Sequence, residues 1–130
     1  MSKLSRLSLI IAGVLLTLAA MLGAYGSHGL RGTVDTATLT AYVTAVDYLF
    51  YQALGLLAVG LLIDRVPQQL GLKVSLALLL LGITLFCGGI FLPIFGAPAL
   101  LGRVVPFGGV LLMAAWLTFS WSVWRLPRAH

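Results

Sequence analysis

The sequence predicts an all-α protein, an integral membrane four-helix bundle, and two observations predict it. Of 130 residues, 61% are hydrophobic and 8% charged, whereas a soluble domain has about a quarter of its residues charged. A soluble fold of this size also has too much surface to leave so bare. Second, the few charges sit in ones and twos at the edges of apolar runs long enough to cross about 30 Å of hydrocarbon. Lipid must therefore replace water around most of the chain. Four spans with short connections use nearly the whole length, so residues 1–130 are read as a single transmembrane domain.

The first span covers residues 7–25, after a start carrying Lys3 and Arg6. A basic start before an apolar stretch also describes a cleaved signal peptide. Here the apolar part is long, and the only candidate cut, after Ala24, puts Leu22 where a small residue is preferred. An uncleaved helix is expected. Gly13, Ala20, Gly23, Gly26 and Ser27 make this span rich in small residues, which favours close helix packing in lipid. Residues 28–40 hold Arg31, Asp35 and several threonines, and Asp35 is placed to cap the next helix with its carboxylate.

The second span covers residues 41–63, its helix beginning before the membrane does. Asp64, Arg65, Pro67, Gln68, Gln69, Gly71 and Lys73 form a tight polar connection, with Pro67 and Gly71 read as breakers. The third span covers residues 73–92, and Pro93, Gly96 and Pro98 mark its end. A short apolar loop over residues 94–101 follows at the membrane surface, closed by Arg103. The fourth span covers residues 106–124. Pro106 suits its first turn, where a missing amide proton costs nothing. Trp121 and Trp124 fall at its far end, where tryptophan anchors helices among headgroups.

Basic residues set the orientation. With the N-terminus inside, one side holds Lys3, Arg6, Arg65, Lys73, Arg125 and Arg128, and the other only Arg31 and Arg103. Positive charge accumulates on the cytoplasmic side, so both ends are expected in the cytoplasm of a bacterial inner (plasma) membrane, N-in and C-in. The same scatter excludes nucleic acid as a partner despite a net charge of +5, because no basic face forms. The single cysteine, Cys87, lies in an apolar run and is expected to be a packed, inert thiol.

Polar residues in a membrane span are costly and tend to face the bundle interior. Thr40, Thr44, Asp47, Tyr48, Tyr51 and Gln52 fall on one arc of the second helix, with Leu49, Phe50 and Leu54 largely off it. This predicts an inward-facing polar stripe. Asp47 lies about a turn or more inside the outer boundary, and His28, Arg31 and Arg103 emerge on that side. The expected cluster is therefore His28, Arg31, Asp47, Tyr48, Tyr51, Gln52 and Arg103 at the outer mouth, either as a structural pairing of helix ends or as a ligand, proton or ion site. His130 lies at the opposite face and is a poor partner for it. A second expectation concerns packing: Gly23 and Gly26, and the pairs Gly88–Gly89 and Gly108–Gly109 with Pro106, remove side chains where backbones can meet. The sequence offers no nucleophile–base pair, no metal-ligand spacing and no cofactor motif, so no catalytic residue, metal or cofactor is expected.

At these residues the sequence resembles a family of small membrane proteins, the domain of unknown function 423 or UPF0382 family, also termed transmembrane-protein-256-like. The matching pieces are Leu22-Gly23-Ala24-Tyr25-Gly26-Ser27-His28-Gly29, Asp47-Tyr48, Leu81-Gly82-Ile83-Thr84-Leu85-Phe86-Cys87-Gly88, and Pro106-Phe107-Gly108-Gly109 followed by Trp116. They cover nearly the whole chain in order. The resemblance implies a four-helix multi-pass protein and brings no established activity. Gln52 stands where many relatives carry histidine, which weakens any reading that needs two intramembrane histidines.

The expected role is a structural or accessory membrane protein packing with itself or in a larger membrane complex, in contact with membrane lipids. The alternative is a small transporter, channel or lipid-binding protein using the polar cluster at the periplasmic side. A membrane enzyme using His28 as base beside Asp47 is the least expected reading.

Overall fold

A spanning segment has no water to satisfy its backbone, so it must pair its own amides and carbonyls, and a helix does this completely. The computed structural model, which describes residues 1–129 and so leaves His130 outside, places four such helices: α1 (Lys3–Tyr25), α2 (Thr36–Arg65), α3 (Leu70–Ile94) and α4 (Val105–Trp124). At 1.5 Å per residue even α4 reaches about 30 Å, the thickness of the hydrocarbon layer. All four are apolar enough to cross a membrane. A π-helical turn, Gly26–Leu30, prolongs α1, and a 3₁₀ segment, Ala99–Val104, leads into α4.

The helices outrun the apolar spans because helix formation continues into the polar flanks. Thus α2 opens at Thr36 and α3 at Leu70. Gly71 is not a breaker: it sits in the first turn of α3, where an added Cβ would strike the Ser122 side chain of α4. Pro93 lies inside the last turn of α3, which runs on to Ile94. Asp35 holds the N-cap position of α2 with extended backbone, but its carboxylate makes no capping bond. It is exposed.

Successive helices are antiparallel neighbours: α1 packs on α2, α2 on α3, and α3 on α4. The middle pair therefore carries most of the core, with Tyr42, Leu49, Leu56, Val59 and Ile63 from α2 meeting Leu72, Leu76, Leu79 and Ile83 from α3. The outer helices turn large apolar side chains outward, among them Ile10, Val14 and Met21 on α1 and Phe107, Val110, Met113 and Leu117 on α4. Against lipid tails such exposure costs nothing, and burying it gains little.

Cohesion comes instead from close approach and from hydrogen bonds that cross between helices. At Gly108 an added Cβ would run into the backbone of Phe86, and at Gly82 it would meet the Leu112 side chain and backbone, so α3 and α4 touch along their main chains. Ser75 Oγ donates to the Ala115 carbonyl at 2.8 Å in the same interface. Between α1 and α2, Ser5 Oγ donates to the Gly60 carbonyl at 2.8 Å, and Ser8 Cβ packs where a Gly60 side chain would be. Gln69 Nε2 donates to the Ser122 carbonyl at 2.9 Å, and the Ser2 amide donates to Asp64 Oδ1 at 2.9 Å. These close the end of the bundle that carries both termini.

The other end is shaped by Tyr42, fully buried in α2. Its ring fills the place of a side chain at Gly26, and its hydroxyl donates to the Leu22 carbonyl. Just beyond this wedge the α-helical ladder widens, the Arg31 amide reaching back to the Gly26 carbonyl at 3.2 Å. The π turn is thus accounted for by an inserted side chain. Phe91 of α3 packs edge-on against Tyr42, ring centroids 5.3 Å apart.

Two outcomes are expected. Gly108→Val should destabilise the bundle by about 1–3 kcal/mol through overpacking, whereas Gly88→Ala, with open space around it, should be neutral or slightly stabilising; thermal unfolding in detergent separates them. Tyr42→Phe keeps the wedge and removes only the hydroxyl, so by the same measurement it should cost about 0.6–2 kcal/mol.

Candidate functional site

The expected stripe on α2 is real as a pattern, but it does not face inward. Thr40, Thr44, Asp47, Tyr48 and Tyr51 are all exposed, whereas Leu49 is buried. The face that α2 turns to its neighbours is Tyr42, Ala45, Val46, Leu49, Ala53, Leu56, Val59 and Gly60. Small and snugly shaped residues, rather than polar ones, select the packed face when the surroundings are lipid. Asp47 lies six residues, about 9 Å, inside the span that begins at residue 41, and it is exposed rather than buried among the helices.

Nor do the expected residues form one cluster. Asp47 and Gln52 stand about 140° apart around the helix axis, and the structure sends them to different clefts. Asp47 shares a groove of about 400 Å³ with Ser27 and Arg31, walled by Gly23, Tyr42 and Val46 between α1 and α2. The groove thus presents a carboxylate, a guanidinium and a hydroxyl at the rim of the membrane. Gly23 and Gly26 open it: Gly26 yields to the Tyr42 ring, and at Gly23 an added Cβ would just touch Val46.

Tyr48 and Gln52 instead line a second cleft, of about 410 Å³, with Phe86, Gly109, Leu112 and Trp116. Tyr48 stacks on Phe86, ring centroids 4.7 Å apart. Trp116 Nε1 donates to Gln52 Oε1 at 2.8 Å, tying α4 to α2 where their backbones stay apart. Its indole also fills the space beside Gly55, where a side chain would collide with it.

His28 and Arg103 line neither cleft and are exposed, His28 within the π turn and Arg103 in the 3₁₀ segment. Tyr51 points outward, 62% exposed. The glycine pairs divide. Gly89 is packed against Val104 and Val105, and Gly108 against Phe86, while Gly88 has open space around it and Gly109 makes only ordinary contact. Pro106 is exposed at the start of α4. Cys87 is buried, its sulfur 3.6 Å from the Ala45 carbonyl. Among the described residues no three His, Cys, Asp or Glu side chains gather as metal ligands would.

Three participants went unread in the sequence: Tyr42, the indole of Trp116 as a partner for Gln52, and Gly60 with Ser5 and Ser8. A signal existed for the second. Gln52 and Trp116 both lie well inside their spans, and a buried indole N–H needs an acceptor at its own depth. Tyr42 announces itself only through the shape of α1.

The family model described as "Protein of unknown function (DUF423)" matches residues 22–109, a stretch that contains the groove at Asp47 and only part of the second cleft, whose Leu112, Met113 and Trp116 lie beyond it. The chain is 33% identical over 109 residues to the UPF0382 membrane protein YwdK of Bacillus subtilis, covering 84% of this chain and 89% of that one. It is 32% identical over 119 residues to the UPF0382 membrane protein SH2409 of Staphylococcus haemolyticus, covering 89% and 94%. A yeast relative, the UPF0382 membrane protein C1782.12c of Schizosaccharomyces pombe, is 36% identical over 107 residues, covering 78% and 87%. No solved structure matches. With its four apolar helices and relatives that share nearly its full length, the chain is a multi-pass membrane protein and belongs to the DUF423, or UPF0382, family.

Proposed function

We propose that the chain is a structural or accessory membrane protein that associates through the outer face of α2 with copies of itself or with a larger membrane complex. One observation carries this reading: a row of polar side chains, Thr44, Asp47 and Tyr51, faces outward from a membrane helix. Polar groups on a lipid-facing surface are unfavourable and call for a neighbour. By contrast Ser5, Ser75 and Trp116, on the inner faces of their helices, are engaged with a neighbouring helix. The reading assigns no catalysis to the chain, whose Cys87 is buried and whose His28 lines neither cleft.

The basic residues support an arrangement with both termini in the cytoplasm, the six-to-two bias of Lys and Arg following the ends of the helices. The groove bearing Arg31 and Asp47 then opens on the outer side, and lipids surround the remaining faces.

Association is tested by disulfide trapping. In a Cys87→Ser background, Tyr51→Cys should give an oxidant-dependent cross-linked species in native membranes, and Leu117→Cys on the apolar face of α4 should not. A protein that stays strictly monomeric, in membranes and in mild detergent, contradicts the reading. Orientation is tested separately. In that same Cys87→Ser background, Thr33→Cys should react with a membrane-impermeant maleimide on intact cells, and Gln68→Cys only after permeabilisation.

A further inference from the structure

The cleft between α2 and α4 has chemistry that packing leaves unused. Trp116 Nε1 can only donate, so its 2.8 Å bond fixes the Gln52 amide with the oxygen toward the indole. Both hydrogens on Nε2 are then left to the cleft that Gln52 lines. Gln52 lies about 18 Å along α2 from Asp64, close to the middle of a 30 Å hydrocarbon layer. Water is scarce there, and lipid tails offer no acceptor. A donor so placed is costly unless something accepts from it. Around it the walls are flat: the Tyr48 and Phe86 rings stack with planes 27° apart, and Trp116 stands opposite. Gly109 leaves the mouth open, since nothing but Phe86 Cδ2, at 3.8 Å, lies near its absent Cβ. A volume of about 410 Å³ falls in the range that holds small molecules.

We propose that this cleft binds a flat, neutral carbonyl compound dissolved in the bilayer, of the quinone class, with one carbonyl oxygen accepting from Gln52 Nε2 and the ring lying against the aromatic walls. Charge excludes other occupants: no cationic or anionic side chain lines the cleft, so a phosphate headgroup finds no partner. A saturated acyl chain fills the space but leaves the amide unanswered. A quinone supplies the acceptor, the flat ring and the apolar tail together.

The probe is decylubiquinone, with decylbenzene as its counterpart lacking carbonyls. Replacing Trp121 and Trp124 by Phe leaves Trp116 as the remaining tryptophan, and its fluorescence in nanodiscs reports occupancy. The expected result is saturable quenching by decylubiquinone that an excess of decylbenzene does not relieve. Gln52→Leu should weaken binding about tenfold, the loss of one hydrogen bond in a dry site. Because that variant also orphans the indole, Gly109→Leu provides the second test: it fills the cleft from a position whose Cβ meets only the Phe86 ring, at an ordinary 3.8 Å, and should abolish saturation while unfolding at the parent temperature. Quenching that rises linearly with probe, or that survives Gly109→Leu in a folded protein, overturns the proposal. So does equal competition by decylbenzene, which identifies the cleft as a seat for lipid tails.

Discussion

The structure depends on one constraint: helices in lipid are not driven together by the apolar surface they bury, so they must gain from contact itself. Contact strengthens as backbones approach, and approach is set by the smallest side chains. Two of the three helix pairs here are built on that rule. Between α1 and α2 Gly60 receives Ser5 and Ser8; between α3 and α4 Gly82 receives Leu112 and Gly108 receives the main chain of Phe86. At such separations a serine hydroxyl spans from one helix to a carbonyl on the next, as Ser5 and Ser75 do at 2.8 Å. Each bond is worth only about 0.6–2 kcal/mol, but it is available only because the glycines have brought the helices within reach.

The same constraint separates what was legible in the sequence from what was not. The existence, order and approximate limits of the four helices depend on transfer of whole segments into hydrocarbon, a property summed over some twenty residues and visible as long apolar runs. Which side of a helix faces inward depends on shape. The hydrophobic contrast between the faces is weak when apolar residues lie on both, so the polar arc of α2 was the one visible asymmetry and pointed the wrong way. Leu49, set apart from that arc, is buried, while Asp47 and Tyr51 are exposed. Small residues carry the orientation instead: Ala45, Ala53 and Gly60 share the packed face.

Tyr42 illustrates a further limit. A single tyrosine among threonines and alanines at the start of a helix carries no sequence signal for burial, yet it joins three helices. It fills the notch at Gly26 of the first, caps a carbonyl at Leu22, and packs on Phe91 of the third. The π turn that follows displaces Ser27 to Leu30 from the register of α1, and thereby delivers Ser27 and Arg31 to the groove that Asp47 borders. The position of these polar groups is a consequence of packing one turn away, which spacing along the chain cannot encode.

The glycine pairs combine packing and opening within single turns of helix. Adjacent helical residues project about 100° apart, so two neighbouring glycines do not both sit at the point of closest approach. In each pair one glycine is consumed by close contact, Gly89 against Val105 and Gly108 against Phe86, and the other, Gly88 or Gly109, is turned aside into open space or a cleft. A lone glycine would have sufficed for packing. The second removes a side chain where no neighbouring helix demands it, and at Gly109 that removal opens the aromatic cleft beside Gln52. Tight association of α3 with α4 and an opening between α2 and α4 thus arise from two consecutive residues, through nothing more than the pitch of the helix.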